Sequence, residues 1–350
     1  MKLESENPPY KQLTHEVIKP ISRRSVAFTI GGTVLFLALL NWGVLWLEET
    51  YPYNRGYWLV NQKWEMLDTL VEPVDWLILG DSTGNQGIVP DVLEERFGGT
   101  AVNLNTVGNM GALDDVWMLE EYISRFGPPS NVLIVHSYDI WSRDVEPIYL
   151  AKTPLPWNSW QQTYAPVLSL TSQEEFNAWL ARFVPLYADN ISLGLLIRER
   201  VYLQKPVLDE RYHLQSDGFM KVETAAGSAE IELDLQQHLN FVAEQKFELS
   251  EINQRVLSQL ISLAEANDIE VYLAFGPVYE ALAQDNQFQV YFEDVYTELQ
   301  SVAAQSKHLH LLEPKAVFSA DQMENVDHLI FDAAKIYTTM IVDEIESERP

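Results

Sequence analysis

"LILGDSTGNQGI", residues 77–88, is an apolar run that stops at a glycine and passes through Asp81-Ser82 into a polar, glycine-containing stretch. The run begins at Asp75 (DWLILG, 75–80), and a short apolar segment bounded by turn residues reads as a buried strand. A helical pattern follows through Val92, Leu93 and Phe97 and stops at Gly98-Gly99. AVNLN (101–105) is a second strand. Leu113, Val116, Trp117, Leu119 and Ile123 mark a second helix, stopped by Gly127-Pro128-Pro129, and NVLIVH (131–136) is a third strand. Strands alternating with helices over short connections predict parallel pairing, right-handed crossovers and helices on both faces of the sheet.

The rhythm breaks after Asp139. Residues 142–247 lack that alternation and carry modest helical stretches among scattered Trp, Tyr and Pro. One of them, SQEEFNAWLARF (172–183), opens with Ser172 and Glu175 at capping-box spacing; another spans 191–203. The block reads as a mostly helical insertion over one end of the sheet: a lid, a partner-docking surface or structural filler. The alternation then resumes. Ile252, Val256, Leu257, Leu260, Ile261 and Ala264 share one helical face. Strands are expected at 269–275 and 308–312, and helices at 290–304 and 331–346. The expected fold is α/β, a flavodoxin-like three-layer α/β/α sandwich with about five parallel strands.

Upstream, VAFTIGGTVLFLALLNWGVLWL (26–47) has no charge and one strongly polar residue, Asn41. A membrane-spanning helix needs about 20 such residues. Lys11, Lys19, Arg23 and Arg24 precede the segment, and Glu48 and Glu49 follow it. The positive-inside rule then predicts a single-pass protein with a cytoplasmic N-terminus and a periplasmic or extracellular main domain. Trp42, Trp46, Tyr51, Tyr53, Tyr57 and Trp58 crowd the outer end, as aromatic residues do at that interface. The chain divides into a tail (1–25), a transmembrane helix (26–47), a juxtamembrane connector (48–73) that is partly helical around 64–70, and a domain from 74 to 350. The formal net charge of -28 argues against a nucleic-acid partner, which needs clustered Lys and Arg. With no cysteine, disulfides, thiolate catalysis and Cys-ligated metals are excluded.

In open parallel sheets, ligands bind at the carboxyl ends of the strands. Those ends hold Gly80-Asp81-Ser82, the loop 103–108, and His136-Ser137-Tyr138-Asp139; the loop before the last helix holds Asp327-His328. A serine nucleophile needs a base, and histidine titrates in the right range. His15 lies in the tail, and His213 and His238 lie in the insertion. His308 and His310 alternate within a strand and read as structural neighbours, which disfavours a metal enzyme built on them; no carboxylate has suitable spacing. His136 and His328 remain at the active end.

These residues resemble the SGNH hydrolases, the GDSL-like esterase and acyltransferase superfamily, in their membrane-anchored bacterial form, over residues 74–345 apart from the insertion. The resemblance implies that Ser82 in ILGDS is the nucleophile. It places Gly108 of VNLNTVG at an oxyanion-binding N–H, with Asn105 where a first glycine is usual. It makes His328, in Asn325-Val326-Asp327-His328-Leu329, the base. Tyr138, followed by Asp139, stands where the family carries an oxyanion-donating Asn; a phenol O–H also donates. Asn325 stands where the family carries the Asp that orients the base. Asp327 is the neighbouring carboxylate, although adjacent side chains in an extended loop point apart. The implied activity is a serine esterase or O-acyltransferase on acyl, especially acetyl, esters of an envelope or exported polysaccharide, using no metal or cofactor. The implied partners are an acylated carbohydrate, the membrane through 26–47, and envelope-assembly proteins. The departures at 138 and 325 support an alternative, a catalytically impaired binding or scaffolding subunit of an envelope polysaccharide assembly.

Overall fold

The computed structural model describes residues 22–50, 55–145, 149, 151, 153–164, 168–184, 186, 194, 197–204, 210–225, 227–313 and 316–349. Its longer elements are α1 (Arg23–Thr50), α2 (Arg55–Thr69), β1 (Trp76–Gly80), α3 (Ser82–Gly87), α4 (Pro90–Phe97), β2 (Ala101–Asn103), α5 (Leu113–Phe126), β3 (Asn131–His136), α6 (Ser172–Phe183), α7 (Ser228–Glu244), α8 (Glu251–Asn267), β4 (Glu270–Phe275), α9 (Asn286–Ala303), β5 (Leu309–Leu311) and α10 (Phe331–Glu348).

The five strands form one parallel sheet in the order β2-β1-β3-β4-β5. This is the expected doubly wound α/β architecture. Right-handed connections that first run outward from β1 to β2 and then back to β3 lie on opposite faces of the sheet. Accordingly α3, α4 and α10 pack together, and α5 packs with α2 and α8. Both faces are covered, so β1, β2 and the body of β3 are buried at every position and read as continuous apolar runs.

Several boundaries differ from expectation for identifiable reasons. The helical pattern after β1 is two helices, because Pro90 restricts Val89 to extended backbone and starts α4 afresh. β2 stops at Asn103, whose side chain turns inward and donates to Gly84 O and Ile88 O at 3.1 and 2.9 Å. The capping box of α6 sits one residue earlier than expected. Thr171 is the cap and Glu174 its partner, and the Thr171 N–H donates to Glu174 Oε2 at 2.7 Å. In the expected helix at 191–203, Ile197–Tyr202 forms a π-type turn, and 191–193 and 195–196 lie outside the described residues. The insertion also contains an unexpected antiparallel hairpin, Tyr212–Leu214 with Met220–Val222. His308 and His310 are structural, and the carboxylate that their spacing did not reveal is Glu270 on the paired strand. It accepts from His308 Nδ1 at 3.0 Å and from His310 Nε2 at 2.7 Å.

The connector is part of the folded body. Leu59, Val60, Trp64 and Leu67 of α2 belong to the core. Trp64 Nε1–H donates to Asp114 Oδ1 on α5 at 3.0 Å, and Arg125 of α5 donates to Leu67 O and to Asp68 O. Lys63 is fully buried, and its ammonium donates to Asn103 O at 2.8 Å and to Gly218 O of the hairpin. Burial lowers the Lys63 pKa well below its ordinary value, although Asp217 opposes this. One side chain thus ties α2, the end of β2 and the insertion together. Lys63→Met strips two buried carbonyls of their donor and is expected to lower unfolding free energy by about 1–3 kcal/mol, read by chemical denaturation of the detergent-solubilised chain.

Candidate active site

β1 runs into a turn that only glycine permits at its first residue. Gly80 has φ +130°, and a Cβ there would lie 2.0 Å from Val135 O of the neighbouring strand. The next residue, Asp81, is buried and caps α3. Its carboxylate accepts from Thr83 N–H at 2.8 Å, Thr83 Oγ1–H at 2.7 Å and Ser137 N–H at 2.9 Å. Ser82 is therefore the first residue of a capped helix, half-buried, and lines a cavity.

Behind the turn lies a buried charge network. His136 Nε2 is 2.6 Å from Asp115 Oδ2, and Nδ1 is 3.6 Å from Asp81 Oδ2. Burial alone would lower the His136 pKa, but Asp115 and Asp81 raise it to about 10. Burial would raise the Asp81 carboxyl, yet His136, Thr83 and Ser137 hold it below its usual range. At Asp115 burial wins and the carboxyl stays above its usual range, while Asp114 is pushed up to about 7 by burial and by Asp115. His136 is thus a buried imidazolium that holds the Asp81-Ser82 turn from behind and does not line the cavity.

The cavity measures about 360 Å³. Ser82, Asn85 and Gln86 of α3 line it with Val107, Gly108 and Asn109 of the loop after β2, and with His328. Gly56 and Leu59 come from α2, and Tyr149, Tyr212 and Met220 from the insertion. Asn85 and Gln86 are buried, and their side-chain oxygens have no hydrogen-bond partner among the described residues. Asn85 was open to sequence reasoning, since it lies one helical turn after Ser82 on the same face; the walls from α2 and the insertion carried no local signal.

His328 Nδ1–H donates to Asp327 Oδ1 at 2.5 Å and to Asn325 Oδ1 at 2.9 Å. The adjacent carboxylate therefore does reach the ring. The loop is not extended here: Asn325 Oδ1 also accepts the N–H groups of Asp327 and His328 at 3.1 and 2.9 Å, which folds the backbone back on itself. Burial would lower the His328 pKa, but the Asp327 charge and hydrogen bond raise it to about 9. Burial would raise the Asp327 carboxyl, but His328 holds it well below its usual range. With Nδ1 committed, Nε2 is the nitrogen left for proton transfer. No hydrogen bond joins Ser82 Oγ to His328 among the described residues; the two share the cavity wall.

The remaining candidates fall elsewhere. Tyr138 is buried away from the cavity, and its hydroxyl is hydrogen-bonded to His238 Nδ1 at 2.8 Å. Asp139 is buried and is bonded to the Ser137 hydroxyl and the Arg143 guanidinium. Asn105 lies beneath α3, its Nδ2 donating to Asn103 Oδ1 at 2.9 Å, and its Oδ1 occupies the place of a Cβ on Gly84, which would be 2.2 Å away. Only Ser82, Gly108 and His328 of the candidate set reach the cavity, with Asp327 and Asn325 one shell behind. Asp234, His238 and Asp327 bring possible metal-ligand atoms within 4.8 Å of one another. Each already serves a hydrogen bond: Asp234 to Val326 N–H, His238 to Tyr138, and Asp327 to His328.

No family model and no curated protein matches the chain. A solved structure described as "a putative platelet activating factor from Streptococcus pneumonia" is similar at 12% identity and a TM-score of 0.38, over 86% of this chain and 97% of that one. A likeness of that size carries no inference about activity.

The charge network makes a prediction independent of substrate. His136→Gln leaves the Asp81 and Asp115 carboxyls without their cation and is expected to destabilise the fold by about 3–5 kcal/mol, measured by denaturant titration. The His136 contribution is present in full below the unfolded-state pKa, about 6.5 for histidine. It is lost as pH rises through about 10, the folded-state value.

Proposed function

We propose that the chain is a membrane-anchored serine esterase or O-acyltransferase acting on acyl, foremost acetyl, esters of an envelope or exported polysaccharide. The observation that carries this reading is the meeting of Ser82 and His328 on one cavity, with His328 Nδ1 held by Asp327. Ser82 Oγ attacks the acyl carbonyl as its proton passes to His328 Nε2, and the Asp327 carboxylate stabilises the imidazolium. Backbone N–H groups of Ser82 and Gly108 take the oxyanion charge. The leaving alkoxide takes the proton back from Nε2. Water or a sugar hydroxyl then gives its proton to Nε2 and its oxygen to the acyl group, and Nε2 passes that proton to Ser82 Oγ as the acyl–serine bond breaks. The anchor is α1, whose segment Arg23–Leu47 is long and apolar enough to cross a membrane. The polar flanks of α1 support a cytoplasmic N-terminus and a domain on the far side.

A serine-directed phosphonate probe is expected to label the wild-type protein and to spare Ser82→Ala; equal labelling of both overturns the reading. The rate should also report His328. Catalysis needs the neutral imidazole, so kcat/KM is expected to rise with pH and level off above about 9. Asp327→Asn removes the charge that raises His328, which moves this limb to lower pH and cuts kcat by about 10²–10⁴-fold.

Tyr138 favours a second reading. With its hydroxyl on His238, the position that supplies a side-chain oxyanion donor in the resembled family supplies none to the cavity. Such loss costs about 10²–10³ in rate. A stably folded Ser82→Ala variant that keeps full cellular function would select the binding or scaffolding role.

A further inference from the structure

We propose that the aromatic edge of α6 is embedded in the interface of the membrane that α1 crosses, so that the insertion holds the α/β domain flat against the bilayer. The proposal rests on the reading of α1 as a membrane span. Its first observation is Asn41, the strongly polar residue within the apolar segment 26–47. An amide in that environment needs a partner. Asn41 Nδ2 donates to Phe183 O, the last carbonyl of α6, at 2.8 Å, and Asn41 Oδ1 accepts from Leu186 N–H at 3.5 Å. The insertion thus satisfies the polar group of the span. The C-terminal end of α6 must then sit at the depth of Asn41. Asn41 lies six residues inside the end of the apolar segment at Leu47, roughly 9 Å along a helix axis. That matches the about 5–10 Å depth at which amphipathic helices lie in an interface.

The second observation is the surface that α6 presents. Phe176, Trp179 and Phe183 follow one another at helical spacing and are 52%, 39% and 37% exposed, while Ala178 and Ala181 on the opposite side are buried. The three rings form a continuous row, with centroids 6.2 Å apart between Phe176 and Trp179 and 5.7 Å between Trp179 and Phe183. An aromatic row beside a membrane span, joined to it at an intramembrane depth, fits lipid. The same placement keeps the Ser82 cavity near the bilayer. Gly56, which lines it, is six residues past Thr50 at the end of α1, so at most about 20 Å of chain separates them.

The chain has no cysteine, so single cysteines can be introduced cleanly. Full-length Leu37→Cys, Phe176→Cys, Trp179→Cys, Phe183→Cys and Ser301→Cys would carry an environment-sensitive NBD label in phosphatidylcholine nanodiscs with or without doxyl-chain lipid. Leu37 reports the span, and exposed Ser301 reports bulk water. The expected result is quenching at 179 and 183 several-fold above that at 301, with quenching at 37. Quenching at 37 while 176, 179 and 183 behave like 301 overturns the membrane-embedded edge and leaves the span intact. Absence of quenching at 37 overturns the span, and the proposal with it. Each α6 substitution replaces an exposed ring and leaves the Asn41 bonds and the buried alanines in place, so the three positions test one surface independently.

Discussion

The candidate site depends on a single buried carboxylate. Asp81 caps α3, accepts the N–H of Ser137 at the end of β3, and faces the imidazolium of His136. Burying a charge is costly unless donors and an opposite charge surround it, and here both are supplied. The carboxylate is therefore fixed in position by the ends of β1 and β3. Ser82, the next residue, inherits that position. Asp115 gives His136 its second anion, so α5 on the opposite face of the sheet takes part in holding the Asp81-Ser82 turn.

His328 is held by a different set of contacts. The loop carrying His328 is pinned from the insertion: Asp234 of α7 accepts Val326 N–H at 3.0 Å, and Tyr212 of the hairpin donates to Glu324 Oε1 at 2.5 Å. A backbone bridge between Met323 and Leu329 closes the loop on itself. The insertion consequently braces the His328 loop and lines the cavity, while Lys63 joins it to α2 and β2. α2 likewise lines the cavity, through Gly56 and Leu59.

Much of this was legible in the residues. The alternation of apolar runs and amphipathic helices predicted about five parallel strands, because burial on both faces leaves no polar alternation to confuse the reading. The meeting of Ser82, Gly108 and His328 on one cavity was legible because strand ends and the last loop of such a sheet converge. Tyr138 was misleading: its place after β3 matched a donor position, but aromatic neighbours Phe288, Tyr291 and Phe241 draw its ring into the core and His238 takes its hydroxyl. Asp327 was underestimated because the Asn325 turn that brings it to the imidazole is a property of loop geometry. The capping box at Thr171 shows the same limit on a smaller scale, since candidate caps lie side by side and the backbone chooses between them.

By itself, then, the sequence determined the α/β alternation with its parallel strands, the apolar N-terminal helix and the glycine turn that ends β1, because each follows from periodicity or from a backbone angle that only one residue type tolerates, as at Gly80. The tertiary structure alone decided which polar groups face the cavity and which are spent on each other. His136, Asp139 and Asn105 were drawn into internal hydrogen bonds, while Asn85 and Gln86 line the cavity with buried side-chain oxygens that no described residue satisfies. The physical reason is that the partner of a buried polar group comes from a distant part of the chain, and that pairing exists only once the sheet has brought the strand ends together.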